Sequence, residues 1–580
     1  MMLLADAAQS NLPLFMVGAY LVVLLGLGIF SSTLFRGTSK DYFVASRSIG
    51  PFMLLMSVFG TTMTGFALVG STGKAFITGV ATFGAVAVWS GIVHSTVFFV
   101  IGTRLWAIGK RLGYVTQVQF FRERFRSHTL GTVLFVLLVL FIIPYLLIGI
   151  ISAGKFMQGT AGLDPALTGL VICGVVLTYV FLGGVRSAAW ANTFQTLVFM
   201  LTGVVAFAMI AKGVAAKTEE GAGTFQQNVK RATEYVEQHK PARLARGIHP
   251  ATVEKYDAHQ EQVKAFEEYE DKLLMWNSMG GADSGMEKPD EVQKPESEGH
   301  IKPKPSMSKL LWITYLFIPL SIGMFPHVFQ HWLTAKSAKT FKLAIVAHPV
   351  CIAVVWLPCV IIGTWAAGLY AAGELTLPVV PGTDKPNVSA VLGAMVNQLV
   401  DNPWLTGLLM IGVLAAIMSS LDSQFACLGT MFTNDIIVPW KGKDYYSDAD
   451  TVKIARGFVV GVVVVAYLLS LALMKSASVF QLGMWCFSGF TALFPIVFAA
   501  LYWKRATSVG VYACIAVTVV LWIVWFKESG YGADKGFKVL GMLPMAPMTM
   551  ASSVALIVGS LVSPALEERQ INKFFPNNAR

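Results

Sequence analysis

Three side chains in one apolar run carry the clearest chemical signal in this sequence. Ser419, Asp422 and Ser423 are three and four residues apart, so they share one face of a predicted helix. An acid inside an apolar span is energetically expensive and is a candidate functional residue. Ser419 and its neighbour Ser420 add hydroxyl oxygens, and a hard monovalent cation binds such oxygens together with carbonyls. The alternative is that Asp422 is hydrated or caps a helix near the cytoplasmic end of the span.

A second run combines helix breakers with hydroxyl groups. Gly60 and Gly65 relax the backbone, and the three threonines at 61–64 can hydrogen-bond the carbonyls that are freed. Irregular backbone is tolerated at membrane depth only where it faces protein or a cavity. The carbonyls of Gly60 and Met63 are therefore candidate cation ligands, although glycine and threonine also form helix-packing faces.

A third run has breakers inside it. Gly323 and Pro326 predict a second broken helix, and the alternative is a proline kink without a ligand. His327 and His331 can titrate near neutral pH. We expect both histidines at the inner interface, in a structural role.

The elements that position these residues are membrane spans. Of the 580 residues 55% are hydrophobic and 13% are charged, against about 25% charged in a soluble protein. Runs of about 20 apolar residues match the bilayer core, and they predict an all-α polytopic membrane protein with about thirteen transmembrane helices. The predicted spans are 13–31, 50–72, 78–103, 129–154, 165–183, 189–214, 309–331, 342–371, 403–432, 455–474, 478–502, 508–526 and 545–563.

Basic residues indicate the orientation of these spans. With the N-terminus outside, the short cytoplasmic segments hold 22 Lys and Arg, against 7 in the short outer segments. This asymmetry fits the positive-inside rule. The net charge of +11 therefore reflects topology and not nucleic-acid binding. We expect a multi-pass protein of the cell (plasma or inner) membrane, with an uncleaved first span and a cytoplasmic C-terminus.

One long segment contains no span. Residues 216–305 hold 13 Lys and Arg and 17 Asp and Glu, and the topology places them outside. Helical spacing predicts helices at 225–240 and 251–276, forming a small hairpin. Residues 277–305 have the composition of a flexible linker. The segment is either an accessory decoration or a partner-binding or gating module of unknown partner.

The order of the spans predicts an internal symmetry. The five spans after the first and the five that follow them have opposite orientations, as in transporters built from inverted repeats. The predicted regions are an extra helix and loop (1–49), the first repeat (50–215), the outer insert (216–308), the second repeat (309–503), and two C-terminal helices with a short tail (504–580). No nucleotide-binding loop, zinc-ligand spacing or nucleophile elbow occurs, so an enzyme is not expected.

Five stretches resemble the sodium/solute symporter family, which includes proline and pantothenate permeases and sodium/sugar symporters. They are 41–51, 183–195, 325–339, 415–436 and 487–507. The resemblance implies a five-plus-five inverted-repeat (leucine-transporter-like) core with extra helices at both ends, and sodium-coupled symport of a small organic solute by alternating access. It implies no cofactor other than sodium as the coupling ion. The sodium ligands that it implies are the carbonyls of Gly60, Met63 and Ala416 and the hydroxyls of Ser419 and Ser420.

This chain departs from the family pattern at three positions. Asn192 stands where the family usually has an acid that assists sodium release, so Asn192, Asp422 and Ser423 are candidates for an accessory or ion-release role. His331 replaces a usual arginine. Thr62 stands where proline permeases carry an acid, which argues against proline as the solute.

The resemblance is less specific about the residues that bind the solute. By position, the residues expected to line a central cavity are Thr62, Thr64, Tyr145, Phe317 and Ser321. Amino acids, short carboxylates, pantothenate-like acids and sugars all remain open. Two other functions are alternatives: a proton-coupled carrier that uses Asp422 or His327, and a transporter-derived sensor with the insert as its receptor part.

Overall fold

The computed structural model consists of helices joined by short connections. The described residues are 2–34, 37–245, 250–281, 287–295, 307–380, 384–442, 445–474, 478–534 and 536–575. Within these ranges the structure contains no β-strand, so the all-α prediction is confirmed.

The helices follow the order of the predicted spans, with short helices between them. In chain order they are α1 (Met2–Thr33), α2 (Ser39–Val44), α3 (Pro51–Thr62), α4 (Phe66–Thr78), α5 (Phe83–Leu112), α6 (Gln117–Arg124), α7 (His128–Ala161), α8 (Pro165–Ala215), α9 (Phe225–His239), α10 (Pro250–Ser278), α11 (Lys309–Gly323), α12 (Pro326–Thr334), α13 (Ala338–Ala371), α14 (Val388–Leu399), α15 (Pro403–Lys441), α16 (Asp448–Leu473), α17 (Val479–Tyr502), α18 (Ser508–Glu528), α19 (Met545–Val562) and α20 (Glu568–Phe574).

The number of spans differs from the prediction. Ten described helices are long and apolar enough to cross a bilayer, and two bent pairs raise the number to 12. The predicted thirteen is not confirmed, because α8 joins the spans expected at 165–183 and 189–214 in one helix of 51 residues. A straight helix of that length would measure about 77 Å, against a bilayer core of about 30 Å. The helix breaks instead at Gly184, where φ is 57° and ψ is −141°.

Both predicted broken helices are present. α3 and α4 meet at an angle of 54°, and α11 and α12 meet at 55°. Pro326 explains the second break, because a proline disfavours helical geometry in the residue before it. Phe325 accordingly has φ −66° and ψ 114°, and Pro326 begins the next helix.

The break between α3 and α4 lies at Met63. α3 ends at Thr62, and Met63 is extended, with φ −88° and ψ 96°. The hydroxyl of Thr64 then accepts a hydrogen bond from the backbone N–H of Phe66 at 3.0 Å, which satisfies a donor at the start of α4. The break lies within the run of glycines and threonines in which the sequence predicted it.

The insert is anchored where α4 ends. Both predicted insert helices, α9 and α10, are present, and α9 packs against α8 and α13. The carbonyl of Arg243 accepts a hydrogen bond from the backbone N–H of Val80 at 2.9 Å. Of the predicted linker, 282–286 and 296–305 lie outside the described residues. This end of the bundle is called the insert side below.

A strained loop lies at the opposite end, before α3. Ala45, Ser46 and Arg47 have φ of 46°, 53° and 55°, which costs about 1–2 kcal/mol per residue. Arg186 holds this loop with a hydrogen bond to the Ala45 carbonyl at 3.2 Å. The same guanidinium makes two hydrogen bonds to the carboxylate of Asp41, at 2.5 and 3.1 Å. The Asp41 side chain is fully buried, so this pair fixes the approach to α3.

Removing the charge of Asp41 should destabilise the protein. Asp41→Asn leaves the mostly buried guanidinium of Arg186 without its partner, a change of about 3–5 kcal/mol in comparable pairs, so we expect a clear fall in the Tm of the purified protein. The matched control is Glu567→Gln, because its pair with Arg126 is exposed, with 72% and 56% of the two side chains accessible. Equal Tm values for the two variants would contradict the role of the Asp41–Arg186 pair.

Candidate functional site

α3, α8 and α15 meet at Gly60. A Cβ atom at this position would lie 2.4 Å from Oγ1 of Thr196 on α8 and 3.5 Å from Cβ of Ser419 on α15. The first distance is shorter than real Cβ contacts allow, so any larger residue would require Thr196 or the helices to shift. The absence of a side chain at Gly60 therefore lets α3 pack closely against α8, and Ser419 of α15 lies at ordinary contact distance from the same position.

The Ser419 hydroxyl contacts two carbonyl oxygens. Its Oγ lies 2.9 Å from the carbonyl oxygen of Gly60 and 2.9 Å from that of Ala416. A hydroxyl has one proton and can donate to only one of these oxygens at a time. The Ser419 hydroxyl and the two carbonyl oxygens therefore lie close together in the protein interior and share one proton. Such an arrangement suits a small cation.

The remaining two residues of the predicted cation site are both buried, and no described hydrogen bond joins them to this contact. Ser420 is buried, and its hydroxyl donates to the Ile417 carbonyl at 2.9 Å. Met63 is buried in the break after α3, and its extended backbone turns its carbonyl away from the direction of the helical hydrogen bonds. The structure joins Gly60, Ala416 and Ser419 by contact.

Asp422 lies one turn further along α15 and is fully buried. The Tyr179 hydroxyl donates to its Oδ2 at 3.0 Å, and the Ser423 hydroxyl lies 3.1 Å from its Oδ1. The amide of Asn192, in the orientation that pairs donors with acceptors, donates to both carboxylate oxygens at 3.0 Å. The alternative of a hydrated or capping Asp422 is therefore wrong, because side chains of α8 and α15 supply its donors.

Asn192 connects this acid to the cation candidates. In the same orientation its nitrogen lies 2.8 Å from the Ser419 carbonyl oxygen, and its oxygen lies 2.8 Å from the Ser423 hydroxyl. That hydroxyl is also 2.8 Å from Nε2 of His331. The accessory residues predicted from the sequence thus form one hydrogen-bonded group with the backbone of Ser419, and His331 belongs to the same group.

The two histidines of α12 are buried within the protein. His327 and His331 are 0% and 2% exposed, because α12 packs against α3, α5 and α15. This burial does not set their depth in a bilayer, so their location at the inner interface stays a prediction. His327 stacks on Phe325, with ring centroids 5.1 Å apart, and its centroid lies 5.5 Å from that of Tyr145.

Tyr145 belongs to an aromatic cluster at the second break. Its ring centroid lies 5.3 Å from those of Phe325 and Phe487. Phe317 and Ser321 lie on α11, before that break. The Phe317 carbonyl accepts from the Thr491 hydroxyl at 2.8 Å, while the Ser321 hydroxyl donates within α11 at 2.7 Å.

The two threonines predicted for the cavity lie at the first break. Thr64 caps the start of α4. The Thr62 hydroxyl donates to the Phe59 carbonyl at 2.9 Å and lies 3.5 Å from Nε2 of His348. The hydrogen bonds of the described residues do not join either threonine to Phe317 or Ser321, so a common cavity for all five residues stays a prediction.

Sequence reasoning missed Tyr179 and Thr196. Tyr179 donates to Asp422, and Thr196 bonds the Met56 carbonyl of α3 at 3.0 Å while it faces Gly60. One signal was available for the tyrosine: a buried acid requires donors, and Tyr179 stands in an apolar span preceding Asn192. Thr196 gave no signal, because its contact depends on how α3 and α8 pack.

The chain is similar to sodium symporters in both sequence and structure. The model of the sodium:solute symporter family matches residues 42–518. A sodium/proline symporter of Staphylococcus aureus (strain NCTC 8325 / PS 47) is 23% identical over 574 residues, covering 96% of this chain and 94% of that protein. The solved structure of a sodium-coupled sialic acid symporter in a substrate-bound outward-open state is 18% identical and has a TM-score of 0.68, covering 96% of this chain and 99% of that one. This structural likeness confirms the predicted fold class, a leucine-transporter-like core of two five-helix repeats with additional helices at both ends.

Substitution of Gly60 tests the close approach of α3. In Gly60→Ala the new methyl group would meet Thr196, and overpacking of this kind destabilises by about 1–3 kcal/mol, so we expect a lower Tm. Gly174→Ala is the matched control, because a Cβ atom there has no neighbour within 4 Å among the described residues. If the two variants had the same Tm, the proposed packing at Gly60 would be refuted.

Proposed function

The chain belongs to the sodium:solute symporter family, and from that membership we propose how its residues couple the two transported species. It is a multi-pass membrane transporter that moves a small organic solute together with sodium, in a fold of transporters rather than of enzymes. The observation that carries the proposal is the contact of Ser419 with the Gly60 carbonyl.

We assign the sodium site to five residues at the junction of α3 and α15: the carbonyls of Gly60, Met63 and Ala416 and the hydroxyls of Ser419 and Ser420. In support, Ser419 already lies 2.9 Å from two of these carbonyls, and both serines are buried. Oxygen ligands from a broken helix and from a continuous helix make binding depend on the relative position of the two. Sodium then favours the conformation in which α3 and α15 are together.

The coupling follows from this dependence. If the solute binds better to the sodium-bound conformation, each ligand raises the affinity for the other. One charge crossing about 100 mV supplies about 2.3 kcal/mol, and a roughly tenfold sodium gradient adds about 1.4 kcal/mol. For an uncharged solute moved with one sodium, these free energies together allow an accumulation of roughly several hundred-fold. A singly charged anion would cancel the charge of one sodium, so only the sodium gradient would then drive its accumulation.

The buried group around Asp422 is assigned to ion release. Asn192, Asp422 and Ser423 form a hydrogen-bonded network that reaches the Ser419 carbonyl. Asn192 is neutral where the family usually has an acid, and the acidic residue of this network in the present chain is Asp422. A carboxylate one turn from the sodium ligands would attract the ion as it leaves the site.

The membrane orientation is proposed from charge. The excess of Lys and Arg in the segments opposite the insert places that side in the cytoplasm. The N-terminus and the insert (216–308) would then face outward, and the C-terminus would be cytoplasmic, in the cell membrane. The two five-helix repeats would span 50–215 and 309–503, each beginning with a bent helix pair.

Proton coupling is the second candidate function, and the burial of Asp422 is the observation that favours it. A fully buried acid whose described hydrogen-bond donors are Tyr179, Ser423 and Asn192 could exchange a proton during transport. Uptake that follows pH and ignores sodium would establish this function.

Removal of both hydroxyls tests the sodium site. In the variant with Ser419→Ala and Ser420→Ala, we expect sodium-stimulated uptake into proteoliposomes to be abolished while the protein remains folded, because two ligands are lost. The solutes tested would be L-proline, sialic acid, D-galactose, pantothenate and pyruvate. Ser470→Ala is the matched control: Ser470 is buried, and its hydroxyl donates to a carbonyl three residues earlier at 2.7 Å, as that of Ser420 does at 2.9 Å. Unchanged sodium dependence in the double variant would refute the assignment.

Neutralising Asp422 separates the two candidate functions. For Asp422→Asn we expect the half-saturating sodium concentration for uptake to rise about tenfold, equivalent to about 1.4 kcal/mol, with the pH gradient held at zero. Asp435→Asn is the control, since Asp435 is also buried but is hydrogen-bonded by Thr116, away from the network. If uptake by Asp422→Asn kept its sodium dependence but lost its pH dependence, the result would favour proton coupling instead.

A further inference from the structure

A cavity of about 90 Å³ opens on the insert side of the bundle. Its walls come from α4, α11, the start of α17 and the connection between α18 and α19. We call it the insert-side vestibule and define it by Lys74, Tyr315, Phe480, Gln481, Asp534 and Lys538, all of which line it. Both bent helix pairs contribute to it, because Lys74 lies on α4 and Tyr315 on α11.

Lys74 is the notable residue of this vestibule. It is half-buried near the end of α4, in the segment that the charge distribution places outside. Its ammonium group lies 5.5 Å from the centre of the Phe480 ring. Within the part of the chain that the structure describes, Lys74 forms no ion pair.

The charge of the vestibule is positive. Lys74 and Lys538 line it against one described acid, Asp534. That acid is exposed, and its Oδ1 accepts a hydrogen bond from the backbone N–H of Gly536 at 2.7 Å, which shapes the connection before α19. A cavity with an uncompensated cation and low-dielectric walls concentrates anions.

The floor of the vestibule leads toward the centre of the protein. Phe480 stacks on Phe66, with ring centroids 4.9 Å apart, and Phe66 meets Phe487 edge-on at 5.0 Å. Phe487 in turn contacts Tyr145 and Phe325 at the second break. An anion paired with Lys74 would therefore lie directly above the aromatic side chains that separate the vestibule from both helix breaks.

We propose that the insert-side vestibule binds the transported solute through a carboxylate group, which pairs with the ammonium of Lys74. The solute is then a small organic anion, and the neighbouring aromatic rings contact its apolar part. A charge-assisted hydrogen bond between an ammonium and a carboxylate is among the stronger polar contacts. This inference rests on the proposed symport function, because it assumes that solute enters from the insert side.

The test compares carboxylates with their amides. Tm of the purified full-length protein is measured in sodium chloride with acetate, pyruvate or lactate, and with acetamide, pyruvamide or lactamide, at equal ionic strength. We expect at least one carboxylate to raise Tm in a saturable way and its amide to have no effect. Stabilisation by an amide or by D-galactose but by no carboxylate, or by none of these compounds, would overturn the inference.

Variants of Lys74 locate the effect. Lys74→Gln should weaken the carboxylate response about tenfold in half-saturating concentration, while Lys74→Arg should largely restore it. Lys527→Gln is the control, because Lys527 is an exposed lysine at the end of α18 outside the vestibule. If Lys74 only extended its charge into solvent, the wild-type protein and all these variants would give the same carboxylate response. That result would overturn the inference.

A sodium titration without solute keeps the two proposals apart. Lys74→Gln should retain the sodium-dependent rise in Tm, since Lys74 lies away from Ser419. If the wild-type protein lacked that rise, the sodium site would be refuted. If the rise were present and the carboxylate response were absent or independent of Lys74, only the present inference would fail.

Discussion

The hydroxyl of Ser419 and the carbonyl oxygen of Gly60 lie 2.9 Å apart, and this contact joins a continuous helix to a broken one. α3 packs closely against α8 at the same residue, because Gly60 has no side chain to meet Thr196. The helix ends two residues later, so carbonyl oxygens are available in the interior where a regular helix would use them. Any cation held by oxygens of both helices would depend on their separation, which is the physical basis of coupled transport.

One face of α15 makes polar contacts with three other helices. Ser419 meets α3, Asp422 receives hydrogen bonds from α8, and Ser423 meets His331 of α12. In a lipid environment such groups must be satisfied within the protein, because the surrounding hydrocarbon offers no partner. A shift of α15 relative to α3, α8 or α12 would therefore exchange several hydrogen bonds together, which favours discrete conformations over continuous deformation.

The sequence predicted the features that depend on local chemistry. Pro326 required an extended residue before it, and the break at Phe325 follows from that steric rule. The spacing of Ser419 and Asp422 placed them on one helix face, and both are buried in the structure. The two insert helices followed from apolar periodicity.

Features that depend on packing between helices were not predictable in the same way. The partners of Asp422 lie largely on α8, more than 200 residues earlier in the chain, so its burial could not be read from its own segment. The burial of the α12 histidines could not be predicted from their own segment, because three neighbouring helices cover them. The span count differed because α8 breaks at Gly184 without an intervening loop. In the sequence, Lys74 was one of the basic residues assigned to the short outer segments. Its cavity could not be predicted, because it exists only where α4, α11 and α17 converge.

The most direct test of the central claim is equilibrium binding of radiolabelled sodium to the purified wild-type protein, without added solute. If oxygens of α3 and α15 form a sodium site, binding will be saturable and will withstand an excess of potassium, because a site closed by short contacts around Gly60 and Ser419 fits the smaller ion. Sodium that binds without saturation, or that potassium displaces equally well, would contradict the account.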